Sequence, residues 1–386
     1  MFHPSLRSPH ATRVLALMAC LIVDRSASTA EESEKIDVFV NGTEGYHTFR
    51  IPAVIATKEG TLLAFCEGRK NSRADHGDID LVLRRSEDGG RSWGPLEPVY
   101  EEGGDEEITI GNPCPVVDQF NGRIWMPFTR DNDDVFVIYS DDDGHTWAEP
   151  RKITDEVKRP VWTWYATGPG IGVQLQRGPH AGRLVIPCDH REPFEQATAK
   201  FSHVFFSDDH GQTWKLGESV SPHTDECQVV ELTDGRLQIN MRNYWERDGK
   251  RPEKGRMRAI ATSADGGESW SELQFDSTLI EPVCQASLIR SESGTEGQRG
   301  ERLLFSNPAS RTDRHLLTVR FSPDGGQTWP RSKVLHEGPA AYSSLIEQPD
   351  GSIGCLYEAG ENHAYERIVF ERFSLDDLMV GEVPKP

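Results

Sequence analysis

The sequence predicts an all-β fold: a six-bladed β-propeller of four-stranded antiparallel blades. Three observations carry that prediction. An eight-residue pattern, Ser-x-Asp-x-Gly-x-(Thr/Ser)-Trp, stands five times: SEDGGRSW at 86–93, SDDDGHTW at 140–147, SDDHGQTW at 207–214, SADGGESW at 263–270 and SPDGGQTW at 322–329. Its copies start 54 to 67 residues apart, the period of a radial or stacked array. Apolar residues alternate in short runs such as 232–239, and few windows carry helical spacing.

Each copy reads as a turn between two strands. Asp and Ser bond nearby backbone N–H groups, and Gly accepts positive φ. The Trp is large enough to pack between neighbouring units. A leader of about 30 residues would leave roughly 59 residues for each of six units, which favours one domain over two. Asp37-Val-Phe-Val40 and the run from Arg367 to Phe373 read as strands. Both are placed in the blade without a box, where the two termini close the ring. The polar segment 291–302 reads as a surface loop.

At the N-terminus, Arg7 and Arg13 precede an apolar run at 14–23. Small residues follow at Ala27-Ser-Thr-Ala30. This is the pattern of a secretory signal, cut after Ala30, with the propeller at 31–386 and the product secreted or periplasmic. The apolar run is too short for an ordinary membrane span. Cys20 also permits a lipoprotein reading. Six cysteines remain: Cys66, Cys114, Cys188, Cys227, Cys284 and Cys355. No two form a CxxC pair, so neither a metal site nor any other cofactor is expected. Buried free thiols are the favoured reading, with disulfides open in an exported chain. The formal charge of −20 argues against nucleic acid. It also sets a condition: an anionic substrate needs a local basic pocket.

The boxes resemble the Asp boxes of the sialidase (neuraminidase) superfamily, where they are hairpin clips on the face away from the active site. They speak for architecture alone. Other motifs resemble that family's functional segments, in its order. Phe49-Arg-Ile-Pro52 resembles the segment whose Arg is the first of three that bind a substrate carboxylate, here Arg50. The segment from Glu67 to Arg85 resembles the one with a pocket Arg and the acid/base Asp, here Arg69 and Asp75. Asp78 and Asp80 are rivals, but Asp75 sits in the polar loop before the strand, where functional residues usually lie. Gly111-Asn-Pro resembles a rim segment in which Asn112 bonds a sugar hydroxyl. Gly168-Pro-Gly170 resembles the family's glycine stretch, which allows close backbone approach. Tyr165 or a neighbouring Trp would floor the pocket or belong to the core. Pro187-Cys-Asp-His-Arg191 departs from the animal-type pattern, which carries tyrosines there.

Further on, Thr224-Asp-Glu226 resembles the segment that supplies a Glu partner to the nucleophile, with Glu231 as the alternative. Arg242 matches the second Arg of the triad, and Gln285 resembles a pocket Gln. For the third Arg, Arg314 stands 28 residues before Tyr342, the family's interval, with Arg311 as its main rival. Tyr342 matches the nucleophile, and Glu358 matches the partner that holds Arg50 in register.

The resemblance implies an exo-α-sialidase that removes terminal sialic acids from oligosaccharides, glycoproteins or glycolipids with retention, without metal and without a membrane span. The chemistry suits the residues. Guanidiniums grip a carboxylate with planar, bidentate geometry. A neutral phenol approaches an anionic centre without the repulsion a carboxylate nucleophile would meet, and the neighbouring Glu takes its proton. The alternatives are a trans-sialidase, which uses the same residues, and a non-catalytic sialic-acid-binding propeller, which would be expected to lose Tyr342, Glu226 or Asp75.

Overall fold

The computed structural model of the chain describes residues 1, 34–250, 252–292 and 301–380. The expected leader, and most of the 291–302 segment, lie outside these residues. The described residues form an all-β, propeller-like array of antiparallel sheets. Two short α-helices accompany it, Thr154–Val157 and Leu375–Val380.

The repeating unit is a four-strand meander. Thr48–Ala56, Leu62–Arg69, Ile79–Ser86 and Glu97–Tyr100 pair in sequence, as do Thr224–Glu231, Leu237–Asn243, Met257–Ser263 and Gln274–Ile280. In two other sheets the first strand is split. Ile110–Gly111 and Val116–Val117 both pair with Ile124–Arg130; Trp164–Thr167 and Val173–Gln174 both pair with Leu184–Phe194. The splits fall at Asn112-Pro113 and Gly168-Pro-Gly170, where proline withholds a ladder donor.

Separate four-stranded units throughout were expected, and the hydrogen bonding departs from that. It gives five sheets, one of them seven-stranded. The cause is the 17-residue strand Arg331–Glu347. Its first half pairs with His315–Ser322, and its second half, from Ala340, pairs with Ile353–Ala359. Two meanders therefore share one unbroken strand. As expected, Glu34–Val40 pairs with Arg367–Phe373 and joins the two ends of the chain. The run 232–239, expected as one alternating strand, is broken by a turn in which Gly235 has a φ of +85°.

All five boxes sit between the third and fourth strands of a meander and share one hydrogen-bond pattern. In the first, Ser86 Oγ donates to Asp88 Oδ1 at 2.8 Å and accepts from Gly90 N–H at 2.8 Å. Asp88 also accepts from the N–H and hydroxyl of Ser92, at 2.9 and 2.6 Å. Burial opposes ionisation, and these donors together outweigh it and hold the Asp88 carboxyl down at about 2. Four box tryptophans pack against another aromatic ring, as with Trp93 on Phe370 and Trp147 on Phe65. The portion formed by Ile353–Ala359, Arg367–Phe373 and Glu34–Val40 carries no box, because its last two strands are remote in sequence and no hairpin turn joins them. All six cysteines among the described residues are buried and free.

Candidate active site

First strands of three meanders are each disturbed at the residue of interest. The ladder slips between Arg50 and Ala53, between Thr224 and Cys227, and between Ala340 and Ser343. Each slip brackets or abuts a candidate: Arg50, Glu226 or Tyr342. A bulge re-aims a side chain that a regular ladder would fix. Ile51 has a φ of +62°, unusual for a β-branched residue, and Asn112 has +60°. Pro52, inside its strand, withholds a ladder donor at the first bulge.

These side chains meet in a cavity of about 810 Å³. Eight Arg and Lys side chains line it against four Asp and Glu. A protein of net charge −20 thus holds one locally basic pocket, the condition set by its composition.

Arg50, Arg242 and Arg314 all line the cavity. Arg50 is held by Glu358 through Nε and Nη2, at 2.9 and 3.3 Å. The same carboxylate accepts from the backbone N–H of Ile51 at 3.0 Å and of Tyr342 at 3.1 Å. Fully buried, Glu358 pins two of the bulges together and lies behind the cavity wall rather than in it. Arg314 donates to Tyr365 Oη at 2.8 Å, and the Arg50 guanidinium lies 4.1 Å over the Tyr365 ring. Its rival Arg311 is exposed, donates to Arg256 O and does not line the cavity.

Tyr342 lies between them. Its hydroxyl donates to Glu226 Oε1, while Arg242 Nη1 donates to Glu226 Oε2 at 2.6 Å and to Tyr342 Oη at 3.2 Å. Burial, then the Glu226 carboxylate, push the phenol well above its ordinary value, against Arg242 and Arg314. The phenol is therefore neutral at pH 7 and already hydrogen-bonded to a base.

Asp75 lies on the loop after Leu62–Arg69. Arg69 Nη1 donates to Asp75 Oδ1 at 2.8 Å and to the carbonyls of Arg73 and Ala74, while Nε and Nη2 donate to Glu67 Oε2. Arg69's donors are thus divided between Glu67 on its own strand and the loop that carries Asp75. Arg50 stands 3.5 Å from Asp75. Burial raises the Asp75 carboxyl, but Arg69 and Arg50 together hold it below the usual range. Asp78 and Asp80 do not reach the cavity; Asp80 is buried and accepts from Tyr46 Oη at 2.7 Å. Glu231 lines a separate hollow of about 230 Å³.

Asn112 lines the cavity. Its Oδ1 accepts from Thr129 and Asn132, both at 2.8 Å, which leaves its amide N–H₂ as the free donor. Glu67 Oε1 accepts from the Asn112 N–H at 2.9 Å. A Cβ on Gly111 would come within 2.6 Å of that oxygen, so the glycine before Asn112 has a packing cause.

Gln285, expected as a pocket residue, is placed elsewhere. It does not line the cavity. Fully buried, it donates to Pro169 O and Ser343 O and accepts from Ser343 N–H at 2.9 Å, clamping the strand next to Tyr342. Tyr165 belongs to the core, fully buried with its hydroxyl against His203 Nε2 at 2.9 Å; Trp164 lines the cavity instead. Sequence reasoning missed Tyr365, Glu67 and Lys200. Lys200 stands opposite Arg191 across a hairpin of two 11-residue strands, and pairs with Asp225 at 3.0 Å. Among the described residues, no group of three or more His, Cys, Asp or Glu could hold a metal.

The BNR repeat-like domain family matches residues 60–355. A sialidase of Micromonospora viridifaciens is 37% identical over 85% of this chain and 52% of its own length. An exo-alpha-sialidase of Aspergillus fumigatus is 31% identical over 87% of this chain and 86% of its own. The solved structure of the Hadza microbial sialidase Hz136 superposes with a TM-score of 0.78 at 30% identity, covering 89% of this chain and 69% of that one. The chain thus spans about half the length of the first of these relatives and most of the second. It belongs to the sialidase family.

Proposed function

We propose that the protein is an exo-α-sialidase that hydrolyses terminal sialic acids from glycoconjugates with retention, through Tyr342. The observation that carries this reading is the neutral Tyr342 phenol donated to Glu226 within reach of three cavity arginines. Sialidases are the glycosidases in which a Tyr replaces the usual carboxylate nucleophile, so that role follows from the family rather than from the distances.

Arg50, Arg242 and Arg314 hold the sialic carboxylate. Asp75 gives its proton to the leaving oxygen while Tyr342 Oη attacks the anomeric carbon and passes its proton to Glu226. In the second step Asp75 takes a proton from water, the water oxygen attacks the anomeric carbon, and the phenol leaves and regains its proton from Glu226. Two displacements at one carbon give retention. Proton NMR of the first-formed product from a sialoside tests this: the α-anomer is expected, and the β-anomer would overturn the mechanism.

Within the same reading the two meanders that share Arg331–Glu347 count as separate blades, giving six. The propeller starts at about residue 31, after an export signal. A mass measurement of the N-terminus of the exported protein checks that cut.

Arg314 rather than Arg311 completes the carboxylate clamp. Arg314→Ala is expected to weaken binding of a planar sialic acid analogue by about a hundredfold, the effect of one charge-assisted bidentate partner lost from a buried site. Arg311→Ala should leave it within about twofold. Titration calorimetry reads both, and the reverse order would overturn the choice.

A further inference from the structure

A second hollow adjoins the first. It measures about 600 Å³, and Ser72, Arg73 and Tyr365 line both. The wall between the two is thus made by the loop that carries Asp75 and by the turn that carries Tyr365.

That position has a chemical meaning. An acid that protonates the leaving oxygen must reach the bond between the sialic acid and the next sugar. With the sialic carboxylate held by Arg50, Arg242 and Arg314, the rest of the substrate has to pass the Asp75 loop. The second hollow is the space on that loop's other side.

Several of its wall groups are already engaged. Asn41 donates to Tyr365 O and accepts from Phe49 N–H at 2.8 Å. His47 Nδ1 and Thr48 Oγ1 are 2.7 Å apart. Glu366 accepts from the N–H groups of Glu361 and Asn362, each at 2.9 Å, and so shapes the turn. The Arg73 and His363 side chains are among those still available. The exposed Arg73 guanidinium has no carboxylate partner among the described residues. The exposed His363 ring uses only Nδ1, as acceptor from Tyr365 N–H at 3.2 Å. Its ring centroid lies 6.2 Å from that of Tyr365. Donors beside ring faces suit a neutral hexose: its hydroxyls accept from the guanidinium and its C–H face packs on the rings.

We infer that this hollow binds the neutral sugar to which the sialic acid is attached, with Arg73 and His363 as specificity residues. The inference rests on the sialidase reading, and its test separates the two. Wild type, Arg73→Ala and His363→Ala are compared on sialyllactose and on 4-methylumbelliferyl sialoside, which lacks the sugar. Each variant is expected to lose about tenfold in kcat/KM on sialyllactose, the scale of one hydrogen bond to a charged or ring donor. His363 lines only the second hollow, so His363→Ala should stay within about twofold on the aryl sialoside, and Arg73→Ala should lose less there than on sialyllactose. Lactose alone should show saturation-transfer NMR signals with wild type that weaken in Arg73→Ala. Variants that cleave sialyllactose like wild type, an equal loss on both substrates, or no lactose signal with wild type would each overturn the subsite. Wild type inactive on both substrates would overturn the sialidase reading, and the subsite with it.

Discussion

Tyr342→Phe is expected to slow turnover by about ten-thousandfold, since a nucleophile and its base act as a unit. The substitution removes one oxygen from a side chain that is 5% exposed and leaves its ring contacts with Arg50 and Arg314 in place. The fold should survive, and near-ultraviolet circular dichroism checks that. Binding of a planar analogue should survive too, because the carboxylate clamp is untouched. Steady-state kinetics on an aryl sialoside reads the loss. A variant within about tenfold of wild type would exclude Tyr342 as nucleophile.

Asp75→Ala is expected to split substrates by leaving group. General acid help contributes about a hundredfold to ten-thousandfold, and sialyllactose, with its poor leaving group, should lose that much. An aryl sialoside needs little help in its first step, so formation of the intermediate should persist while its hydrolysis, deprived of the base, slows. The glycosyl-enzyme should then accumulate. After reaction with a 3-fluorosialosyl fluoride, mass spectrometry should find the adduct on the peptide containing Tyr342. An adduct on Asp75, Glu226 or Glu358 peptides of wild type would sink the assignment.

The Asp75 surroundings add a pH signature. In the empty site burial raises its carboxyl, and Arg69 and Arg50 outweigh that and hold it low. A bound sialic carboxylate offsets the Arg50 charge, so the carboxyl rises on binding. A general acid works only while protonated. The alkaline limb of kcat, which reports the complex, should therefore lie at higher pH than that of kcat/KM, which reports the free enzyme.

The boxes made the architecture legible, because each clip is closed by residues eight or fewer apart and needs no distant partner. Arg50, Arg242, Arg314 and Tyr342 were legible for another reason: each lies in a short segment that the resemblance could match residue by residue. What escaped depends on contacts across the ring. Gln285 sits in a segment that resembles a pocket strand, yet its amide is spent on Pro169 and Ser343, and only the packed structure shows where it points. Tyr365 is a lone tyrosine in a turn, without a motif, and gains meaning only from Arg50 and Arg314. The shared strand Arg331–Glu347 was hidden because Gly338-Pro339 reads as a break, whereas pairing runs through it from one neighbour to the next.

The closing pair of strands also bears on how the molecule is made. Glu34–Val40 finds its partner only when Arg367–Phe373 has been synthesised. Most other pairings join neighbours in sequence and can form as the chain grows. This one has the largest sequence separation, and its loop-closure entropy falls due before any contact rewards it. Until then the strand Ile353–Ala359 and the Glu34–Val40 segment are open edges, able to pair with another chain. Ring closure is therefore expected to come late in folding, and the chain is expected to be most prone to aggregate while those two edges are open.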